Sequence, residues 1–228
     1  MKIYFVRHGH PDYSKDCLTE LGHRQAAAAA ERLKDSGIVQ VFASSKGRAL
    51  QTAEHTAEVL GLSVIPCDFI REISWGTVDG APMLANGHPW NLVELLSDEG
   101  KSIRNVDWEN DECFCNNKVV GCVKTVTDGL DAWLNTLGYA REGDYYRVVG
   151  ENTDRSVAMF SHGGASTAAL AHLFNLPFPQ ACGMLHVDFT SVTVVTLSDR
   201  QGALVYPKLV SSDANHTVGL QIENVYGQ

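Results

Sequence analysis

The sequence has no uninterrupted apolar run of the length that a membrane span requires, which is about 20 residues. The apolar stretch at residues 2–6 is too short for the hydrophobic region of a signal peptide, and no small-residue cleavage site follows it. These absences argue against membrane insertion and against secretion. The expected location is therefore the cytoplasm.

Basic residues are also scarce, with 18 Lys and Arg against 27 Asp and Glu and a formal net charge of −9. Nucleic acids and anionic membranes bind to basic surfaces, so neither is expected as a partner. Any site that binds an anion must therefore be locally positive.

Cysteine is the residue type that most needs an interpretation, because six are present. In a chain of this size without a secretion signal, reduced thiols are expected rather than three disulfides. Cys113, Cys115 and Cys122 offer three soft ligands. Their spacing fits no common zinc template and no histidine lies close in sequence, so no metal site is predicted.

The length of 228 residues favours one larger α/β domain over two small ones. Through the first eighty residues the pattern alternates as in β-α-β units, which is typical of a parallel sheet. It predicts strands at 2–6, 39–43 and 62–66 and helices at about 20–36 and 46–60. Thr19 is the expected N-cap of the first helix and Gly37 its stop, while Ser44 or Ser45 and Gly61 bracket the second.

Residues 81–155 break this rhythm with frequent Gly and Pro, and we interpret them as an inserted cap. Apolar residues at helical spacing predict one helix there, at about 119–137. The alternation returns with a strand at 156–160, a helix at about 164–174 and closing strands at 187–197 and 203–206. The predicted architecture is a single three-layer α/β/α domain over residues 1–228 with a mostly parallel sheet and a cap.

Two predicted strands end in a histidine beside glycine, in the segments Arg7-His8-Gly9-His10 and Ser161-His162-Gly163-Gly164. In an open parallel sheet, ligands bind outside the carboxyl ends of the strands. A guanidinium can hold phosphate oxygens in a bidentate fork, and glycine lets backbone N–H groups approach an anion. The first turn of the second helix, which carries Arg48, is a further anion site on dipole grounds. These segments therefore predict one phosphate site.

The first segment resembles the Arg-His-Gly signature of the histidine phosphatase family, the phosphoglycerate mutase-like proteins. Three more segments are similar to family motifs in the same order: LTELGHRQA at 18–26, SSKGRALQTA at 44–53 and EISWGTVDG at 72–80, where Asp79 replaces a later Glu. The resemblance covers residues 1–80 and about 156–200. It implies the phosphoglycerate mutase-like fold.

The resemblance also implies roles for the matched residues. His8 is expected to attack phosphorus and form a phosphohistidine that water later cleaves. Arg7, Arg48 and His162 are expected to hold the phosphate. Glu72 is expected to protonate the leaving alkoxide, which requires a pKa raised towards the working pH. The implied reaction uses neither cofactor nor metal.

Three further residues are candidates for contact with the phosphate. Gly163 follows His162 directly. His10 stands where the family often has Glu or Gln, and Ser14 lies near the position of a phosphate-contacting Asn. For His10 and Ser14 a purely local structural role is the alternative, since short polar residues in loops also cap backbone groups.

The segment after Glu72 bears on the choice of substrate. Mutases of the family hold a second anionic group there with basic residues, whereas this chain has only Lys101, Arg104 and Lys118 among many acidic residues, including the run Asp107–Glu112. That run either faces the pocket, where it would repel a second anion, or is a solvated loop. We therefore predict a phosphatase for small phosphomonoesters.

Alternatives to that prediction are phosphoglycerate mutase-type transfer and a non-catalytic protein that binds a phosphorylated ligand. Binding alone needs the arginines but neither His8 nor Glu72, which argues against the second alternative. Trp75, Trp90 and Trp108 either form a wall against a ring-bearing substrate or pack within the cap. The sequence does not predict the oligomeric state.

Overall fold

The computed structural model describes residues 1–151 and 153–213. Strands β1 to β11 span, in order, Lys2–Arg7, Pro11–Asp12, Cys17–Leu18, Ile38–Ser44, Val64–Cys67, Tyr139–Glu142, Tyr145–Val148, Ser156–Ser161, Val192–Thr196, Leu204–Val205 and Lys208–Asp213. Helices α1 to α6 span Glu20–Leu33, Gly47–Leu60, Pro89–Asp98, Lys118–Thr136, Gly163–Leu173 and Phe178–Met184.

A six-stranded sheet in the order β11-β9-β1-β8-β4-β5 lies at the centre. Strands β1, β8, β4 and β5 are parallel, whereas β9 runs antiparallel to β1 and β11 antiparallel to β9. In the pairing of β1 with β8, Arg7 lies opposite Ser161. His8 and His162 therefore leave the sheet side by side.

Strand β1 shows why the sheet is covered on both faces. Its side chains alternate in direction, as in any strand. Ile3 and Phe5 belong to a core that includes Leu130 and Leu170 of helices α4 and α5. Val6 faces the opposite core, which includes α2 residues. This arrangement confirms the predicted three-layer α/β/α fold.

Helix α1 begins as predicted, because the Thr19 hydroxyl accepts the Gly22 N–H at 3.1 Å. Gly22 also lets the helix touch the turn after β1: a Cβ on Gly22 would lie 2.2 Å from the His10 carbonyl oxygen, and one on Gly9 would lie 2.6 Å from the Gly22 oxygen. The close contact between Gly22 and the residues around Gly9 fixes the turn that carries His8. The helix ends at Leu33, earlier than predicted.

Helix α2 ends as predicted at Gly61, which adopts the left-handed conformation with φ of 66°. Its N-terminus differs from the prediction, since Lys46 is the N-cap and makes no side-chain capping bond. Ser44 does not cap the helix because its hydroxyl lies 2.8 Å from His162 Nε2. Ser45 likewise pairs with Asp68 instead.

The predicted closing strands are only partly correct. Within 187–197 the strand is confined to Val192–Thr196, because residues 187–191 cross the end of β1, where the Thr190 N–H donates to the Arg7 carbonyl at 3.1 Å. The strand predicted at 203–206 pairs with β7 in a separate sheet, and β11 takes the edge of the central sheet. Which strand pairs with the edge of a sheet depends on contacts between distant segments, which the local sequence pattern does not specify.

The segment predicted as a cap, 81–155, has two parts. Helix α4 contributes Leu130 and Trp133 to the same core as strand residue Phe42, so it belongs to a layer beside the sheet. The preceding part carries α3, which the sequence pattern did not predict, as it did not predict α6 or the β6–β7 hairpin. Across the residues that the structure describes, no helix combines the length and apolar character needed to cross a bilayer.

Candidate active site

His8 lies in the turn after β1 and is 1% exposed. Its Nδ1 donates to the Gly9 carbonyl at 2.7 Å, and its Nε2 accepts from Arg48 Nε at 3.2 Å. Since a guanidinium only donates, the ring carries its proton on Nδ1. Burial, with the help of Arg7 and Arg48 and against the opposing Gly9 bond, lowers the pKa of His8 to about 3. The ring is therefore neutral, with its lone pair on Nε2.

Arg48 lies in the first turn of α2 and is 7% exposed. Its Nη1 pairs with Asp16 Oδ1, and Asp16 Oδ2 accepts the Gly47 N–H at 3.0 Å. Burial opposes ionisation of Asp16, but the hydrogen bonds from Gly47 and Arg48 outweigh it and lower the pKa of this carboxyl. Asp16 thus occupies the helix N-terminus at which the sequence predicted an anion.

His162 is fully buried, and its ring centroid lies 5.1 Å from that of His8. Nε2 lies 2.8 Å from Ser44 Oγ, which also accepts the Lys46 N–H at 3.3 Å. Within the described part of the chain, Nδ1 has no hydrogen-bond partner. The pKa of His162 lies well below its usual range, mainly because the ring is buried and also because His8 and Arg48 are close. A neutral ring therefore has one nitrogen left for a ligand.

Arg7 ends strand β1, and its Nη1 donates to the Val187 carbonyl at 2.5 Å. Its Cζ lies 4.2 Å from the ring centroid of Phe189, a cation–π contact. The Phe189 ring also contacts His8, with centroids 5.5 Å apart. A Cβ on Gly163 would lie 3.4 Å from Arg7 Cζ, so the glycine brings the start of α5 close to the guanidinium.

Glu72 reaches the start of α5, where its Oε1 accepts the N–H groups of Ile73 and Ala165, each at 3.1 Å. Burial raises the pKa of Glu72, although these bonds and Arg7 oppose the increase. The approach depends on Gly164, because a Cβ there would lie 2.8 Å from Glu72 Oε1 and 2.4 Å from Ile73 Cγ1. Glu72 thus has the environment of a carboxylic acid that can donate a proton.

A cavity of about 490 Å³ lies beside these residues, and Arg7, Glu72, Gly163 and Gly164 contribute to its lining. His8, Arg48 and His162 are buried and do not line it. They contact each other and Arg7 through the bonds and ring contacts described above. The structure therefore brings together the five residues for which the sequence predicted catalytic roles.

Only two of the three tryptophans considered above line the cavity. Trp75 and Trp90 line it, whereas Trp108 is buried against Phe114 and Phe178. None of the described residues in the acidic run 107–112 lines the cavity. The remaining wall residues are Tyr13, His88, Glu94, Thr167, Leu185, His186, Val187 and Asp188.

His10 and Ser14 have local partners. The His10 N–H donates to Gln25 Oε1 at 2.7 Å, and its Nδ1 lies 2.9 Å from Thr19 Oγ1. The Ser14 hydroxyl donates to Asp12 Oδ1 at 2.6 Å. Neither side chain lines the cavity. Their contact with phosphate stays a prediction.

All six cysteines are unpaired. Burial raises the pKa of the Cys113 thiol, while Cys122 Sγ lies 3.4 Å from Ser74 Oγ. Over residues 1–151 and 153–213, no group of three or more His, Cys, Asp or Glu side chains has a metal-binding arrangement.

Asp16 and Phe189 are the site residues that sequence reasoning missed. No sequence signal pointed to Asp16, because Ser44 or Ser45 was the expected cap of α2 and Asp16 lies more than thirty positions before Gly47. Phe189 had no signal either, because it fell within the strand predicted at 187–197, where an apolar residue is ordinarily assigned to the core.

A model of the histidine phosphatase superfamily, branch 1, matches residues 3–109 and 143–208, which is more than half of the chain. A protein named probable phosphoglycerate mutase, from Yersinia pestis (strain Pestoides F), is 33% identical over an alignment of 92 residues, which covers 36% of this chain and 43% of that protein. The chain thus spans less than half the length of this curated relative.

Solved structures have the same fold. Mycobacterial glucosyl-3-phosphoglycerate phosphatase superposes with a TM-score of 0.63 at 21% identity, covering 94% of this chain and 99% of its own. Phosphoserine phosphatase from Entamoeba histolytica, in complex with 3-phosphoglyceric acid, gives 0.61 at 21% identity, covering 94% and 97%. The family model, which covers more than half of the chain, shows that the chain belongs to the histidine phosphatase superfamily, branch 1.

Proposed function

We propose that the protein is a phosphatase that hydrolyses small phosphomonoesters through a phosphohistidine on His8. The observation that carries the proposal is the hydrogen bonding of the His8 ring, whose Nδ1 meets the Gly9 carbonyl and whose Nε2 meets the Arg48 Nε–H. These partners require a neutral ring with its proton on Nδ1. Attack through Nε2 needs this tautomer, because the attacking nitrogen must be unprotonated.

Binding of the phosphate requires an exchange of hydrogen bonds. Arg48 Nε donates to His8 Nε2 in this structure, and that bond covers the lone pair. We infer that a phosphate oxygen takes the Arg48 N–H, which exposes Nε2 for attack. Arg7, which lines the cavity, supplies a second guanidinium for the charge of the transferring group.

His162 adds a neutral donor. If the Ser44 hydroxyl donates to Nε2, the proton of the imidazole lies on Nδ1, the nitrogen that has no partner among the described residues. A phosphate oxygen is a suitable acceptor for that N–H. His162 then stabilises charge that develops on the phosphoryl oxygens.

The reaction has two steps. His8 Nε2 forms a bond to phosphorus as the bond to the ester oxygen breaks, and Glu72 gives its proton to the departing oxygen. Water then attacks the phosphohistidine, Glu72 takes a proton from the water, and the electron pair of the P–N bond returns to Nε2. The raised pKa of Glu72 supports both roles. The proposal invokes neither metal nor cofactor.

The cavity also bears on the mutase alternative. Among the described residues that line it, Arg7 is the only lysine or arginine, and Glu94 and Asp188 are acidic in addition to Glu72. A second phosphate or carboxylate would meet these carboxylates at short range, where like charges repel by kilocalories. The lining therefore favours a substrate with one anionic group.

The test is phosphate release from sugar phosphates, nucleotides, phosphoglycerates and alkyl phosphomonoesters with EDTA present. His8→Ala is expected to abolish release, whereas the surface variant His23→Ala serves as the matched control. Release by His8→Ala at the wild-type rate would overturn the proposal. Isomerisation of phosphoglycerate without release would favour a mutase, and tight phosphate binding without turnover would favour a binding protein.

A further inference from the structure

The lining of the cavity includes a group of aromatic side chains, which we call the aromatic wall. The Trp75 and His88 rings have centroids 4.7 Å apart and planes at 83°, and the His88 and Trp90 centroids are 5.6 Å apart. Three rings therefore meet in a corner rather than in a stack. Tyr13, 67% exposed, contributes a further ring to the lining.

The charges in this wall are negative. Glu94 projects from α3 and Asp188 from the loop before β9. Burial lowers the pKa of His88, whose Nδ1 accepts the Asn91 N–H, so this ring is uncharged at neutral pH. His186 lies beside Asp188, with Nε2 3.0 Å from Oδ1. Glu94 is exposed on its helix.

Rings and carboxylates together favour a particular ligand. The faces of tryptophan and tyrosine attract cations, most strongly quaternary ammonium groups, through the ring quadrupole. Carboxylates attract the same groups and repel anions. A cavity of about 490 Å³ also lies within the range of small-molecule sites.

We infer that the leaving group of the substrate carries a cationic amino group, which binds between the Trp75–His88–Trp90 corner and the carboxylate of Glu94. The substrate class is then a phosphorylated amino alcohol, with its phosphate over Arg7 and its ammonium group in the aromatic corner. This inference rests on the proposed phosphatase function and names the substrate class of that same site.

The test compares two esters of similar shape, one with a positively charged group and one with a neutral group in the same position. Phosphocholine carries a trimethylammonium group, and 3,3-dimethylbutyl phosphate carries a neutral tert-butyl group in its place. We expect kcat/KM for phosphocholine to exceed that for the neutral ester by about tenfold or more, the size expected for a cation in an aromatic site. The preference should fall as ionic strength rises, because salt screens Glu94.

Variants locate the effect. Glu94→Gln and Trp75→Leu are each expected to reduce the ratio of the two kcat/KM values several-fold. Glu109→Gln is the matched control, since Glu109 is exposed and does not line the cavity. An unchanged ratio in Glu94→Gln and Trp75→Leu would overturn the inference even if phosphocholine were preferred.

The outcomes also distinguish a failure of this inference from a failure of the proposed phosphatase function on which it rests. Equal kcat/KM for the two esters, with hydrolysis that depends on His8, would refute the cationic substrate and leave the phosphatase proposal standing. No hydrolysis of either ester or of p-nitrophenyl phosphate would refute both.

Discussion

Replacing His8 by Asn is expected to make the stability of the protein less sensitive to mild acid. In the folded protein, burial lowers the pKa of this ring to about 3, from an ordinary value of 6.5. Between these two pH values the unfolded chain binds a proton at His8 and the folded protein does not. The free energy of unfolding therefore decreases as the pH falls below 6.5.

The size of the effect follows from the two pKa values. Each pH unit below 6.5 costs about 1.4 kcal/mol, so wild type loses about 2 kcal/mol through His8 between neutral pH and pH 5. The full loss, reached near pH 3, is about 5 kcal/mol, because the loss continues at about 1.4 kcal/mol for each pH unit between the two pKa values, 6.5 and about 3. The Asn variant has no such contribution.

The assay is urea unfolding of both proteins at pH 7.5 and pH 5 in buffer without phosphate. Most carboxylates titrate alike in wild type and variant, so their contributions cancel in the double difference. We expect wild type to lose about 2 kcal/mol more than His8→Asn. Equal losses would refute the reasoning, because they would mean that His8 takes up a proton in the folded protein. An NMR titration of the ring should show no protonation at pH 5.

The other predictions concern the acid, the support of Arg48 and the start of α5. Glu72→Gln should lower kcat for alkyl phosphates far more than for p-nitrophenyl phosphate, because an aryl oxide departs without a proton. Asp16→Asn should lower the free energy of unfolding, measured in urea, by about 1 kcal/mol, because it weakens a partly exposed ion pair with Arg48. Gly164→Ala should lower kcat and cost about 1–3 kcal/mol in a thermal or urea titration, because its Cβ would lie 2.4 Å from Ile73 Cγ1.

Each of these has a control or a contrary outcome. Equal loss on both esters would argue against Glu72 as the acid. Unchanged stability in Asp16→Asn would show that other contacts hold Arg48. Gly121→Ala is the control for Gly164→Ala, because its added Cβ would meet no described atom within 4 Å outside its two chain neighbours and the backbone of its own helix, and it should stabilise helix α4 by up to about 1 kcal/mol. Loss of stability in Gly121→Ala similar to that in Gly164→Ala would contradict the steric argument.

The parts of the fold that the sequence predicted are those set by local periodicity. The strands at the start and at 156–160 are continuous apolar runs, and the α1 cap at Thr19 depends on neighbouring residues alone. Because parallel strands end at one edge, the meeting of His8 and His162 also followed from the pattern. The prediction therefore included the centre of the site.

What the sequence did not predict depends on contacts between distant segments. Residues 187–191 resemble a strand because apolar Val187 and Phe189 alternate with polar residues, but Thr190 has φ of 57° and turns the chain across the site. Asp16 pairs with a helix end more than thirty positions away. Helix α3 was also not predicted, although Pro89 in its first turn is a recognised start signal.

The most direct test of the central proposal is to look for phosphate on His8 itself. The protein is mixed with a phosphomonoester for milliseconds, quenched in alkali, which preserves phosphohistidine, and mapped by mass spectrometry. We expect one phosphoryl group on the peptide that contains His8, none in His8→Ala, and a larger amount in Glu72→Gln, where activation of water is slowed. Turnover without any phosphorylated peptide, or with the phosphoryl group on a different residue, would contradict the account.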